Sequence, residues 1–228
     1  MRFVTFEQAA ERLRGKRVAV VGSAPSVLDN AEGFVDSHDV VVRVNNYKLG
    51  RAQGSRCDVH YSFYGNSIRK TSAELKADGA TLCMCKCPNA QPIKSEWHER
   101  NGKQRGCDFR YIYETRKDWW FCDTYVPTTA RFLESFRLLG EHIPSTGFAA
   151  ILEVVACTPC QIYLTGFDFF SSGVHNVDEA WRAGDPSDPI GHRPHLELEQ
   201  VARLYRNNPG VVFEFDAKLS DLTRERSA

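Results

Sequence analysis

The clearest chemistry in this 228-residue chain lies where hydroxyl and small side chains open a helix. The stretch Pro144-Ser-Thr-Gly147 runs directly into Phe148-Ala-Ala-Ile-Leu-Glu-Val-Val-Ala156. Ser145 or Thr146 can cap the helix through a side-chain oxygen, and Gly147 admits a ligand close to the backbone. The unpaired N–H groups and positive dipole end of such a helix favour phosphate. Taken alone, the segment reads more often as an ordinary capped core helix. Two further places carry small or amide side chains after apolar runs: Gly22-Ser-Ala-Pro-Ser26 and Asn45-Asn46. Each would lie at the carboxyl edge of a parallel sheet, where α/β folds bind nucleotides. The glycine loop lacks the G-x-G-x-x-G pattern, so it does not point to a dinucleotide, and Asn45 alone is equally a turn former. A third group sits at the start of the last long helix, where His192, His195 and Glu197 fall within two turns.

The elements that would position these groups alternate between strand and helix. Arg17-Val-Ala-Val-Val21 is a compact β-branched run stopped by Gly22, which suggests a buried strand of a parallel sheet. Further strands are expected over 39–44, from Asp58, over 81–87, over 161–165 ending at Gly166, and over 211–215. Helices are expected over 6–13, 67–77, 128–139, from 146 onward with Phe148, Ile151, Leu152 and Val155 on one face, and from 191 to about 205. This alternation implies an α/β fold: a single Rossmann-like domain over 1–228, with a mostly parallel central sheet flanked by helices. Residues 88–130 are less regular and hold Trp97, Trp119 and Trp120. That stretch is expected to be a loop-rich aromatic insertion, either a lid or acceptor cleft or a surface excursion.

Composition narrows the classes of function. Lys+Arg and Asp+Glu are equal at 29 each, which argues against a generally basic nucleic-acid surface. The first ten residues lack the apolar region of a signal peptide, and no apolar run reaches the roughly 20 residues of a membrane span. A cytoplasmic chain is expected, with peripheral membrane association left open. The eight cysteines are expected to be free thiols. Cys83, Cys85 and Cys87 would share one strand face, without the two-residue gap of a metal pair; Cys157-Thr-Pro-Cys160 has that gap but sits at a helix end with Pro inside, so buried thiols are expected rather than a zinc site.

Taken together, the motifs resemble those of a known family. Val18-Ala-Val-Val-Gly-Ser23, then Val35-Asp-Ser-His-Asp-Val-Val-Val-Arg-Val-Asn45, then Gly54-Ser-Arg56 is similar to the long sialylmotif of glycosyltransferase family 29. Pro144-Ser-Thr-Gly147 through Ile162-Tyr-Leu-Thr-Gly-Phe167 resembles the short sialylmotif. His175 lies where that family has its third motif, and His192 with Glu197 reproduces the His-x4-Glu spacing of the very short motif. Gly22-Ser-Ala-Pro-Ser26 and Cys83 to Asn89 look closer to the bacterial family 42 sialyltransferases. The chain departs from the family-29 pattern in three places. Ser23 replaces the family's Asn, Val18 replaces the cysteine that pairs the two sialylmotifs in animal enzymes, and Gly173-Val-His-Asn176 lacks the paired aromatic.

The resemblance implies the GT-A-like variant of the fold and an inverting transfer of a sialic acid from a CMP-sugar donor to a glycan or glycolipid hydroxyl. Gly22, Ser23, Asn45, Ser145, Thr146, Gly147 and Gly166 would bind the donor. His192 would be the general base, because an imidazole with a reference pKa of about 6.5 is neutral enough to accept the acceptor proton. His175 would assist the leaving CMP, and Glu197 would orient the loop or cap the helix start. His195 is the local competitor of His192. A CMP-sugar carries one phosphodiester rather than a diphosphate, and the sequence contains no Asp-x-Asp pair, so neither a metal nor a cofactor is expected. Two rivals stay open: a transferase of CMP-Kdo or another nonulosonic acid, and a non-catalytic nucleotide-binding protein of the same fold.

Overall fold

The computed structural model describes residues 2–65, 68–88, 109–115, 121–171, 174–176, 179–180 and 192–225. Its centre is a sheet of eight parallel strands: β1 (Phe3–Val4), β2 (Arg17–Val21), β3 (Val40–Val44), β4 (Val59–Ser62), β5 (Leu82–Cys85), β6 (Asp123–Tyr125), β7 (Gln161–Thr165) and β10 (Val212–Phe215). The order across the sheet is β1-β6-β5-β4-β3-β2-β7-β10. A separate antiparallel pair joins β8 (Val174–Asn176) to β9 (Glu179–Ala180). The helices are α1 (Phe6–Ala10), α2 (Ser72–Ala77), α3 (Phe109–Thr115), α4 (Thr129–Arg137), α5 (Thr146–Ala156), α6 (Pro194–Asn207) and α7 (Ala217–Glu225).

The sheet is parallel because its central strands carry apolar side chains on both faces. Every residue of β3, β4 and β5 is buried, as a parallel sheet covered on both sides requires. Alternation then sorts residues between layers. Val18 and Val20 of β2 join Val40, Val42 and Val44 of β3 in the main core, with Phe148, Ile151 and Val154 of α5 and Leu198 and Val201 of α6. Ala19, Val21 and Val41 point the other way, onto Val27, Val35 and Tyr163. β5 divides likewise: Leu82 and Met84 enter the main core, while Cys83 and Cys85 pack with Cys87, Tyr64, Phe132 and Phe136. The three cysteines therefore share one apolar cluster. Among the described residues all cysteines are free thiols, and no group of three or more His, Cys, Asp or Glu could hold a metal.

Several expected boundaries move, each for a local reason. The helix expected over 67–77 is Ser72–Ala77, because Thr71 and Glu74 form a reciprocal capping box. The helix expected over 128–139 starts after Thr128, whose side chain takes the Arg131 N–H at 3.3 Å. The helix expected over 6–13 is helical only to Ala10 and continues as turns. The stretch 88–130 is not merely loop-rich, since β6 within it is a full member of the sheet between β1 and β5. Trp97, Trp119 and Trp120 lie outside the described residues. On α5 only Leu152 of the expected apolar face is half-exposed, and burial extends further round the helix to Glu153. That carboxylate pairs with Arg131 Nε at 2.8 and 3.0 Å, so a charge survives inside an apolar layer because it is paired.

Strand order sets the functional geometry. From β2 the chain steps outward through β3, β4 and β5 to β6, then returns to place β7 on the opposite side of β2. That reversal is a topological switch point, and open α/β sheets bind ligands in the crevice outside the carboxyl ends of their strands at such a point. The two strands end on glycines in contact: Gly22 donates its N–H to Thr165 O at 2.8 Å, and a Cβ added to Gly22 would lie 2.2 Å from Gly166 O. Gly166 has φ +73°, a region open to glycine at little cost. Gly22→Ala should therefore destabilise the fold by about 1–3 kcal/mol through overpacking. An unchanged urea midpoint would show that the two loops separate without cost.

Candidate active site

Four segments meet at this edge, and a buried carboxylate ties three strands' worth of loop together. Asp216, directly after β10, accepts Ser26 Oγ at 2.9 Å and Gly166 N at 2.8 Å on Oδ2, and Leu219 N at 2.8 Å on Oδ1. One side chain thus caps α7 and holds the loops after β2 and β7. Sequence reasoning missed both Asp216 and α7. The signal was an aspartate after a strand and three residues before an amide of a helical run.

The start of α5 lies against the same loops. Ser145 is the N-cap, and its Oγ accepts the Phe148 N–H at 3.1 Å. Ser145 is also held from outside: its N–H donates to Glu197 Oε1 and its Oγ–H to Glu197 Oε2, both at 2.6 Å. Glu197, in the first turn of α6, therefore clamps the start of another helix. Burial pushes its pKa up to about 7, against the opposing pull of the two Ser145 bonds and of Lys86. Lys86, buried just past β5, donates to Pro144 O at 2.5 Å, fixing the residue before the cap. With Ser145 committed, the amides of Thr146 and Gly147 are the helix-start donors that remain for an anion. Gly147 has a packing reason as well, since an added Cβ would lie 2.9 Å from the Phe167 ring. Of the expected donor-binding residues, Gly22 lies against Gly166, and the Phe167 ring lies beside both Gly22 and Gly147, which follows Ser145 and Thr146; Ser23 follows Gly22 half-buried.

Asn45 directly follows β3, the strand beside β2. Its backbone is left-handed at φ +52°, as are Tyr64 at +53°, Phe169 at +49° and Phe170 at +64°. Non-glycine residues in this region cost free energy and cluster at ligand sites. Phe169 and Phe170 belong to a turn closed by Asp168, whose Oδ1 takes the Phe170 N–H at 3.0 Å. The turn presents the Phe170 ring parallel to His192, with centroids 6.1 Å apart and planes at 12°.

His192 precedes α6, and its Nδ1 lies 2.8 Å from Ile143 O. A carbonyl can only accept, so Nδ1 carries a hydrogen, and in the neutral ring Nε2 carries the lone pair. The bond ties the histidine to a residue two positions before the α5 cap. His195 is exposed in the first turn of α6. His175 lies on β8, and its side chain is outside the described residues. Phe167, Phe170 and Lys86 were not singled out by sequence, because each acts through a partner distant along the chain.

No family model matches this sequence, and no curated protein matches it. Among solved structures, it resembles the sialyltransferase CstII from Campylobacter jejuni in complex with cytidine-5'-monophosphate, at 14% identity and a TM-score of 0.58, covering 89% of this chain and 80% of that one. The same enzyme in complex with CMP-3FNeuAc aligns at 15% identity and a TM-score of 0.58, over 90% and 88% of the two chains. A mammalian sialyltransferase in complex with Gal-beta-1-3GalNAc-ortho-nitrophenol aligns at 20% identity and a TM-score of 0.51, over 87% and 68%. The α/β fold of this chain is thus the fold of sialyltransferases. No helix among the described residues is long and apolar enough to cross a membrane.

Proposed function

We propose that this chain is a metal-independent, inverting glycosyltransferase that moves a sialic acid, or a related nonulosonic acid, from a CMP-sugar to a glycan hydroxyl. The observation that carries the reading is His192: its Nδ1–H is fixed on Ile143 O at 2.8 Å, two residues from the helix start that would hold the leaving phosphate. The base is thereby tied to the segment that carries the anion site. The fold shared with sialyltransferases solved with CMP and CMP-3FNeuAc supports the donor class.

In this mechanism the CMP phosphate rests on the Thr146 and Gly147 amides, whose orientation suits a developing negative charge. The bond between the anomeric carbon and the phosphate oxygen breaks through an oxocarbenium-like transition state, and its electron pair leaves with CMP. The acceptor oxygen bonds to the opposite face of that carbon while its proton passes to His192 Nε2. His175 is assigned to the leaving phosphate, and Glu197 to holding Ser145. Asn45, Gly22, Ser23 and Gly166 line the nucleotide side of the crevice. The choice of glycan or glycolipid acceptor is assigned to residues 88–130 and 168–190.

Two results test this reading. CMP should raise the melting temperature while UDP and GDP leave it unchanged, because ligand binding stabilises only the fold it fits; equal shifts with all three nucleotides would remove the CMP assignment. Asn45→Ala should weaken CMP binding about tenfold in calorimetry, the loss of one well-placed hydrogen bond. Affinity equal to that of the wild type would take Asn45 out of the site. CMP binding without consumption of any CMP-sugar would favour the non-catalytic alternative, and consumption of CMP-Kdo alone would change the sugar but not the chemistry.

A further inference from the structure

Asn45 is held more tightly than a residue in a surface loop would need to be. Its N–H donates to Tyr61 O at 3.1 Å, its carbonyl accepts His60 Nε2–H at 2.9 Å, and its Oδ1 accepts Ser62 Oγ–H at 3.0 Å. The three groups behind it also hold one another. Ser62 Oγ accepts the Tyr64 N–H at 3.1 Å; the Tyr64 hydroxyl donates to His60 O at 3.0 Å and lies 3.1 Å from His60 Nδ1. His60, Ser62 and Tyr64 are all buried, with at most 1% of their surface exposed. Because Nε2 donates to a carbonyl, the His60 ring is the Nε2–H tautomer. Burial pushes its pKa down to about 4, so it stays neutral across the physiological range. Both asparagine and tyrosine are left-handed, at φ +52° and +53°, and the network pins both.

The consequence for Asn45 is directional. With N–H, C=O and Oδ1 all committed, the polar group left to face the crevice is the Nδ2 amide, which can only donate. We propose that His60, Ser62 and Tyr64 are positioning residues that lock Asn45 with its side-chain N–H groups toward an acceptor oxygen of the bound nucleotide, Ser62 being the residue that selects this orientation. The proposal rests on the CMP-donor reading. It goes beyond that reading by naming residues that never touch the donor and yet set its affinity.

A double-mutant cycle on CMP affinity tests it. Ser62→Ala removes one hydroxyl, and affinity should fall about three- to tenfold, the worth of a hydrogen bond that orders its acceptor. Asn45→Ala should fall at least as far. The double variant should then be no weaker than Asn45→Ala alone, because Ser62 acts only through Asn45. Ser62→Ala binding like the wild type, or the two losses multiplying, would overturn the positioning role while leaving the donor reading intact. Should the wild type not bind CMP at all, the donor reading falls, and the side-chain amide of Asn45 still decides the positioning claim by NMR. Its order parameter should be that of a rigid group in the wild type and drop in Ser62→Ala; an equally rigid amide in both would overturn the proposal.

Discussion

Replacing His192 with alanine should leave the fold intact and lower turnover by about 10²–10⁴, or about 3–5 kcal/mol of transition-state stabilisation. The fold is expected to survive because His192 is only half-buried and its bond to Ile143 O lies at a helix entry rather than in the core. Turnover is expected to fall because the acceptor hydroxyl, with a pKa far above neutrality, needs its proton removed as the new bond forms. His192→Gln should not restore rate, since an amide can keep the bond to Ile143 O but cannot accept a proton. Near-normal turnover in either variant would remove His192 as the base and shift attention to His195, its exposed neighbour. CMP affinity should change little in both, which separates loss of chemistry from loss of binding.

Glu197→Ala should be the most destabilising single change at the site, costing about 3 kcal/mol. It leaves the Ser145 N–H and hydroxyl without the acceptors now 2.6 Å away, and opens a space where a fully buried side chain stood. The cap of α5 would loosen, so CMP affinity should fall with stability. Glu197→Gln isolates the charge. The carboxyl has an ordinary value of 4.5 and is pushed up to about 7 by burial. A group raised in the folded state contributes stability fully present below 4.5, which is lost as pH rises through 7. The wild type should therefore lose about 3 kcal/mol relative to Glu197→Gln between pH 4.5 and pH 8. A difference in unfolding free energy that stays flat across that range would mean that Glu197 carries no perturbed proton.

The parts of the fold legible in the sequence are those where one segment carries its own signal. β2 and β3 follow valine-rich runs and β7 a short apolar run ending at Gly166, and α5 begins where Ser145 announces a cap. β1 is two residues on a sheet edge, and β6 is three residues beginning with an aspartate; both owe their strand state to the neighbours they pair with. Terminal α7 was missed because its cap, Asp216, also serves Ser26 and Gly166, 190 and 50 residues away. The candidate site divides along the same line. Gly22, Asn45, Thr146 and His192 are each marked locally, by a strand end, a turn or a helix start. What Glu197 does was not marked, because its partner Ser145 lies 52 residues earlier. The role of Gly147 likewise shifted once the Phe167 ring was found against it.

Cleavage of a CMP-sugar by this chain is the central claim. Incubation of the wild type with CMP-sialic acid, followed by phosphorus NMR, reads the reaction directly as conversion of a phosphodiester signal into that of the CMP monoester. Conversion is expected in the presence of chelator, faster with a glycan acceptor, and about 10²–10⁴ slower in His192→Ala. No conversion of CMP-sialic acid or of any related CMP-sugar, with CMP itself bound, would contradict it.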